Sequence, residues 1–189
     1  MEMTGQREVP VSQQAAWDAL NDPEVLKACI PGCESLELDE EGGGFKAVVR
    51  AAVGPVRARL KGRVDLSDVV APESYKLAFK GEGATGFAQG ESEVRLVPAE
   101  SGAGTLICYT ANAKIGGKLA QVGSRLIDSS ANKLAGEFFS NLTQHLGGES
   151  EEKPADATAT EPEKKKKGMF GFMKKDKGDK GDKGAAEAQ

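Results

Sequence analysis

Between residues 117 and 146 apolar side chains recur at three- and four-residue steps: Leu119, Val122, Leu126, Ile127, Leu134, Phe138, Phe139, Leu142 and Leu146. That spacing predicts one long helix, with Gly147 and Gly148 available to end it. Within it the stripe changes face. At about 100° per residue, Leu119, Val122 and Leu126 oppose Gln121, Arg125 and Asp128, whereas from Leu134 onward Lys133, Glu137 and Asn141 point outward. Asp128, Ser129 and Ser130 sit at the switch. A bend there, or two packing partners for the two halves, is the expectation.

Before the helix the pattern mostly has period two. Residues 3–9 predict a first strand closed by Pro10, and Ser12 can cap a short helix carrying Ala16, Trp17 and Leu20 on one side. Asp22-Pro23 then gives a second start, which Pro31 and Gly32 must stop near Ile30. Six strands follow as a meander. Residues 36–39 lead into the Gly42-Gly43-Gly44 turn. Phe45, Ala47, Val49, Ala51 and Val53 alternate with Lys46 and Arg50, and Gly54-Pro55 reverses the chain. Val56, Ala58, Leu60, Gly62, Val64 and Leu66 alternate with Arg57, Arg59, Lys61 and Arg63, the cleanest one-face-in pattern present. Tyr75, Leu77 and Phe79 make the next strand; Val94 and Leu96 the one after the glycine-rich residues 81–86. Ile107, Tyr109, Ala111 and Ala113 are the inner face of the last.

A strand, two short helices, six antiparallel strands and a long helix predict an α+β fold in which a curved sheet wraps around the final helix. The inner faces are rich in Ala, Gly and Val, and the helix places Gly123, Ala131 and Gly136 where larger residues would pack more tightly. An interior helical glycine costs about 1 kcal/mol relative to alanine. Space for an apolar ligand is one reading, close helix-to-sheet packing through small residues the other. The first nominates Phe45, Val49, Val53, Val56, Leu60, Tyr75, Leu77, Phe79, Phe87, Tyr109, Leu119, Val122, Gly123 and Leu126 as ligand contacts.

Composition adds a second region. Residues 1–147 make one domain, large enough for its own core. After Leu146 apolar residues almost vanish, so residues 148–189 are expected to be a disordered tail. Charge in the tail is segregated: residues 149–163 hold six acids and one lysine, residues 164–183 nine lysines and three aspartates. Embedded in the basic part is Met169-Phe170-Gly171-Phe172-Met173. Lysine contributes about 1 kcal/mol each against an anionic bilayer, and buried Phe or Met side chains add to it. Lys164, Lys165, Lys166, Lys167, Met169, Phe170, Phe172, Met173, Lys174 and Lys175 are therefore candidate membrane contacts, with a protein groove or a merely solubilising tail as rivals. No apolar run approaches the length of a membrane span, and no signal-peptide pattern opens the chain, so a cytoplasmic protein with reduced thiols is expected. Nucleic acid is a poor target, because residues 1–146 carry 15 Lys and Arg against 19 Asp and Glu. The row Arg57, Arg59, Lys61 and Arg63, with Lys46, Arg50, Lys76 and Lys80, still predicts a positive outer sheet face, read first as solvated.

Catalytic chemistry is hard to assemble. His145, the sole histidine, lies near the helix C-terminus, where bonding a terminal carbonyl or closing the core is expected before base catalysis. Cys29 and Cys33 have neither redox nor closed-zinc spacing, and no nucleophile with an adjacent base, paired apolar carboxylates or phosphate-cradling glycines can be found.

Residues 22–36, Asp-Pro-Glu-Val-Leu-Lys-Ala-Cys-Ile-Pro-Gly-Cys-Glu-Ser-Leu, and residues 116–127, Gly-Gly-Lys-Leu-Ala-Gln-Val-Gly-Ser-Arg-Leu-Ile, resemble the G-subunit family of carbon monoxide dehydrogenase. The first run is the more specific, and with the strand order the resemblance covers about residues 1–146. It implies the START-like helix-grip fold of the SRPBCC superfamily, which holds hydrophobic ligands between sheet and C-terminal helix. It also implies a non-catalytic accessory role beside a molybdenum-containing carbon monoxide dehydrogenase at the inner face of the cytoplasmic membrane. The ligand expected on that basis is an isoprenoid quinone, menaquinone or ubiquinone, carried rather than covalently held. No residue specifies that headgroup; it is inferred from the electron acceptor such a dehydrogenase needs. A ligand-free recruitment scaffold or assembly factor, and a small cyclase- or hydrolase-like enzyme, are the alternatives.

Overall fold

The computed structural model describes residues 1–40 and 42–147. β1 (Glu2–Val9) leads into α1 (Gln13–Asn21), which starts at Ser12 because the Ser12 hydroxyl accepts the Ala15 N–H at 3.3 Å. α2 (Pro23–Cys29) follows at once. The Asp22 carboxylate accepts the N–H groups of Glu24 and Val25 at 2.8 and 3.4 Å, and Pro23 occupies the first turn, where its missing donor is not needed.

Six strands then run as a meander: β2 (Cys33–Asp39), β3 (Gly44–Val53), β4 (Val56–Val70), β5 (Ser74–Gly83), β6 (Gly86–Pro98) and β7 (Thr105–Gly116). β1 returns to pair with β7, giving one antiparallel sheet of order β1-β7-β6-β5-β4-β3-β2. β6 begins well before Val94. Its inward positions there are Ala88, Gly90 and Ser92, too small or polar to show the apolar alternation that marks a strand.

Register places inward residues in rows across the sheet. One row reads Phe45, Val64, Phe79, Gly90, Ala113; the next reads Ala47, Gly62, Gly81, Ala88, Ile115. Glycine is required at two of these positions. A Cβ on Gly62 would overlap the Lys80 carbonyl oxygen, and one on Gly90 the Asn112 carbonyl oxygen. Neighbouring backbones approach that closely only where the sheet is strongly coiled, so these residues permit its concavity.

The long helix differs from its expected form. Residues 117–122 are a 3-10 segment, Gly117–Val122, and Gly123 at φ +91° breaks the chain before α3 (Ser124–His145). α3 then passes through residues 128–130 without interruption. Its sheetward positions form one stripe, Ile127, Ala131, Leu134, Phe138 and Leu142, with Phe139 buried beside it. The change of face read from sequence is thus a break at Gly123, which uncouples the rotation of the segments on either side, and no bend at Asp128 explains it.

The main core gathers at one end of the concave face, where Trp17 and Leu20 of α1, Cys29 of α2 and Phe139 and Leu142 of α3 pack on Val9, Tyr75, Val94, Leu96 and Ile107. Polar contacts fix the helices there. Asn141 Nδ2 donates to the Cys29 carbonyl at 3.0 Å, supplying a partner for the end of α2, while Gln13 Nε2 donates to Leu96 O at 2.8 Å and Thr105 Oγ1 to Val11 O at 2.8 Å. At the opposite end the 3-10 segment packs on β4, β6 and β7, with Leu119 buried and its N–H bonded to Thr85 O at 3.0 Å.

Overlap with fixed backbone separates the glycines in stability. Gly62→Ala and Gly90→Ala each lower unfolding free energy by about 2 kcal/mol or more in urea titrations, whereas Gly81→Ala, whose Cβ would meet Leu60 Cβ at an ordinary 3.5 Å, changes it by under about 1 kcal/mol.

Candidate functional site: an apolar cavity under the long helix

Between the two ends lies a cavity of about 350 Å³. Its floor is the concave sheet: Phe45 of β3, Val64 and Leu66 of β4, Tyr75, Leu77 and Phe79 of β5, Ser92 and Val94 of β6, and Ile107, Tyr109 and Ala111 of β7, with Met3 of β1 and Leu36 of β2 at the margins. Leu20, Leu26 and Ile30 close it from α1 and the α2 end, and Phe138 and Phe139 from α3. The aromatic wall is ordered by its own contacts. Tyr109 stacks on Phe139 with centroids 5.3 Å apart, Phe138 meets Phe139 edge-on at 5.1 Å, and Trp17 meets Tyr75 edge-on at 5.4 Å. The enclosed surface is overwhelmingly hydrocarbon and excludes the ion pairs of the outer face.

Of the ligand contacts nominated from sequence, Phe45, Tyr75, Leu77, Phe79 and Tyr109 line this space. Val49, Val53, Val56 and Leu60 share the concave face, half-buried, toward the β3–β4 hairpin and beyond the cavity wall. Leu119 fills the far end, and Val122 is half-buried beside it. Gly123 is exposed. Leu126 is 44% exposed, against the hairpin glycine Gly54. Phe87 lies one residue out of phase with inward Ala88 and carries its ring over Gly116 on the other face. Sequence reasoning passed over Phe138, Phe139, Leu26, Ile30 and Met3. Phe138 and Phe139 were legible as part of the apolar stripe; what concealed their role was the assumption that the small residues earlier in the helix mark the void.

The outer face is more balanced than its cations suggest. Glu34 ion-pairs both Arg50 and Arg59, which face each other across β3 and β4, and Asp39 pairs with Lys46 at 2.8 Å and Arg63 at 3.6 Å. Arg63 also meets Asp65, Lys76 meets Asp68 at 2.8 Å and Lys80 meets Glu82 at 2.9 Å. The last three, exposed on both sides, add little stability but cancel like-charge repulsion across the strands, whereas the Asp39 carboxylate is buried and needs its cations. Arg57 and Lys61 form no ion pair among the described residues.

Other candidate chemistry stays dispersed. Cys29 is 1% exposed, and burial pushes its thiol above the usual range, as it does for half-buried Cys33. All three cysteines are free, and the described residues contain no cluster of His, Cys, Asp and Glu able to hold a metal. The His145 side chain is exposed in the last turn of α3 and makes no hydrogen bond among the described residues, so it neither bonds a carbonyl there nor closes the core. No helix among the described residues is long and apolar enough to cross a membrane. The tail contacts nominated from sequence, residues 164–175, lie outside the described residues.

The same architecture occurs in known structures. A conserved protein from Geobacillus kaustophilus is 31% identical over 78% of this chain and 95% of its own, with a TM-score of 0.72. A START superfamily protein from Mycobacterium smegmatis, 11% identical over 77% of this chain and 97% of its own, superposes with a TM-score of 0.59, and a Thermus thermophilus protein at 18% identity, over 77% and 97%, does so equally well. The α+β helix-grip, START-like fold expected from sequence is therefore the fold observed. Curated protein sequences give no match. The family model of the carbon monoxide dehydrogenase G subunit, CoxG, matches residues 5–147.

Filling the void tests its accessibility. Ala111→Leu places extra hydrocarbon where Ala111 borders the cavity and is expected to abolish most of the fluorescence enhancement of the neutral probe N-phenyl-1-naphthylamine, with a melting temperature at or above that of the unsubstituted protein.

Proposed function

The chain belongs to the CoxG family, the G subunits of carbon monoxide dehydrogenase, and from that membership we propose that it takes an isoprenoid quinone into the concave-face cavity and carries it between the membrane and the dehydrogenase. Members of this family are accessory to the dehydrogenase, and the fold is one suited to hydrophobic ligands. The observation that carries the quinone reading is the cavity itself. About 350 Å³ bounded by Phe, Tyr, Leu, Ile and Val side chains falls within the range of small-molecule pockets and favours an aromatic ring over any charged metabolite.

In this reading the protein contributes burial and positioning, and the quinone supplies the redox chemistry. Menaquinone and ubiquinone are almost insoluble in water, so a soluble dehydrogenase gains access to them only through a carrier that replaces the bilayer's apolar surroundings. Phe79, Leu77 and Leu66 on the sheet and Phe138 and Phe139 on α3 would sandwich the ring. The isoprenoid chain would follow the half-buried concave face toward Val49, Leu60 and the β3–β4 hairpin. The protein itself then performs no bond making or breaking.

Membrane attachment is assigned to the tail. Residues 164–183 carry a net charge of six positive units, which gives an upper limit of roughly 6 kcal/mol against an anionic leaflet, and the Met169–Met173 cluster adds apolar insertion. The protein would therefore work peripherally at the inner face of the cell membrane, with the dehydrogenase as its partner.

Organic extraction of protein purified from a quinone-producing host, followed by mass spectrometry, is expected to yield an isoprenoid quinone in sub-stoichiometric or greater amount. Extraction of lipids and no quinone would overturn the reading in favour of a scaffold. Phosphatidylglycerol vesicles should pellet the full chain, and replacing Phe170 and Phe172 by Ala should lower the pelleted fraction severalfold; equal pelleting would remove those rings from the attachment.

A further inference from the structure

Three polar side chains interrupt the hydrocarbon wall of the cavity: Ser92, Tyr109 and Tyr75. Only the first has a hydrogen-bond partner among the described residues. The Ser92 hydroxyl donates to the Thr110 carbonyl at 2.7 Å. Tyr109 presents its ring, stacked on Phe139, while its oxygen runs out over Gly5 of the edge strand β1, a position open only because Gly5 has no side chain.

Tyr75 is different. It is 5% exposed, sits where the cavity meets the main core, and is held by the edge-on contact with Trp17, yet its hydroxyl has no hydrogen-bond partner among the described residues. The residue is buried, but its oxygen is not among the fully enclosed side-chain atoms that lack a partner, so the hydroxyl stays reachable by an acceptor the size of a water oxygen. Desolvation holds the phenol well above its ordinary pKa, so the group remains an O–H donor and does not become phenolate. Register sets its neighbours: Tyr75, Val94, Tyr109 and Gly5 form one row across β5, β6, β7 and β1, and Leu66, Leu77, Ser92, Ala111 and Met3 the next. The strand neighbours of Tyr75 in these rows are mostly hydrocarbon, and the second hydroxyl of its own row, that of Tyr109, is carried away over Gly5 at the β1 edge.

We propose that the Tyr75 hydroxyl is the specificity determinant of the cavity, donating a hydrogen bond to a carbonyl or other acceptor oxygen of the bound apolar molecule and so selecting oxygen-bearing ring compounds over hydrocarbons and acyl chains of similar size. This rests on the cavity being a ligand site, as proposed above, and adds the chemical class that the site prefers. A pocket lined only by hydrocarbon separates ligands of equal shape poorly, whereas a buried donor discriminates against any ligand that leaves it unpaired. Tyr75 acts here as a binding residue, with no part in electron transfer.

The test compares two probes of nearly equal shape, 2-methyl-1,4-naphthoquinone and 1,4-dimethylnaphthalene, by equilibrium dialysis against the full chain and against Tyr75→Phe. The unsubstituted protein is expected to prefer the quinone by about tenfold, and Tyr75→Phe to lose most of that preference while binding the hydrocarbon unchanged. Infrared spectra supply a readout that packing alone does not move: the quinone carbonyl stretch falls in frequency on binding the unsubstituted protein and keeps its apolar-solvent value in Tyr75→Phe. An equal preference in the two proteins, or an unshifted carbonyl in the unsubstituted one, overturns the assignment of Tyr75 while leaving the cavity as a ligand site. Binding of neither probe overturns the ligand site itself. Should Tyr75→Phe fail to fold, the infrared result on the unsubstituted protein decides alone.

Discussion

A single helix cannot cover a seven-stranded sheet. Six interstrand spacings of about 4.8 Å give the sheet a width near 29 Å, whereas α3, about 33 Å long at 1.5 Å per residue, is only about 10–12 Å across. The concave face is apolar along its whole breadth, so something must occupy the remainder. α1 and α2 take one end, the 3-10 segment with Leu119 takes the other, and the middle is left as the cavity. The void follows from this mismatch of dimensions, with no need for unusual residues to hold it open.

Anchoring decides which part of α3 borders it. Leu142 and Phe139 are buried in the core, and Asn141 is bonded to the end of α2, so the C-terminal half is fixed. That anchored half supplies Phe138 and Phe139 to the cavity wall, whereas the N-terminal half keeps Leu126 in solvent and contributes no residue to the lining. Coiling of the sheet at Gly62 and Gly90 deepens the space from below.

Period-two alternation made the inner faces of β3, β4, β5 and β7 legible in the sequence, along with the caps at Ser12 and Asp22, because each depends only on neighbours within a few residues. The start of β6 was hidden by Ala88, Gly90 and Ser92, inward residues that carry no apolar signal. The 3-10 segment was hidden because Lys118, Leu119, Ala120, Gln121 and Val122 are all compatible with an α-helix, and Gly123 reads as an interior glycine until its positive φ is seen. Selection of the cavity residues depended on where the helices come to rest, a relation among elements far apart in sequence. Small residues in the helix were a misleading guide to it, since Gly123 lies in solvent, whereas the bulky Phe138 and Phe139 form the wall.

The pairing of β1 with β7 also sets the order of events in the life of the chain. Glu2 must find Asn112 and Val9 must find Thr105, so the first strand made is among the last to be placed. At about 5–20 residues per second on the ribosome, roughly a hundred intervening residues mean several seconds in which β1 has no partner. A β2–β6 meander, linked by short hairpins, can assemble during that interval, but the floor of the cavity is incomplete until Thr105–Gly116 emerges and β1 docks against it. Until Thr105–Gly116 emerges, the nascent chain holds an unpaired sheet edge beside an unroofed apolar surface, an exposure that a helical bundle built from local contacts avoids.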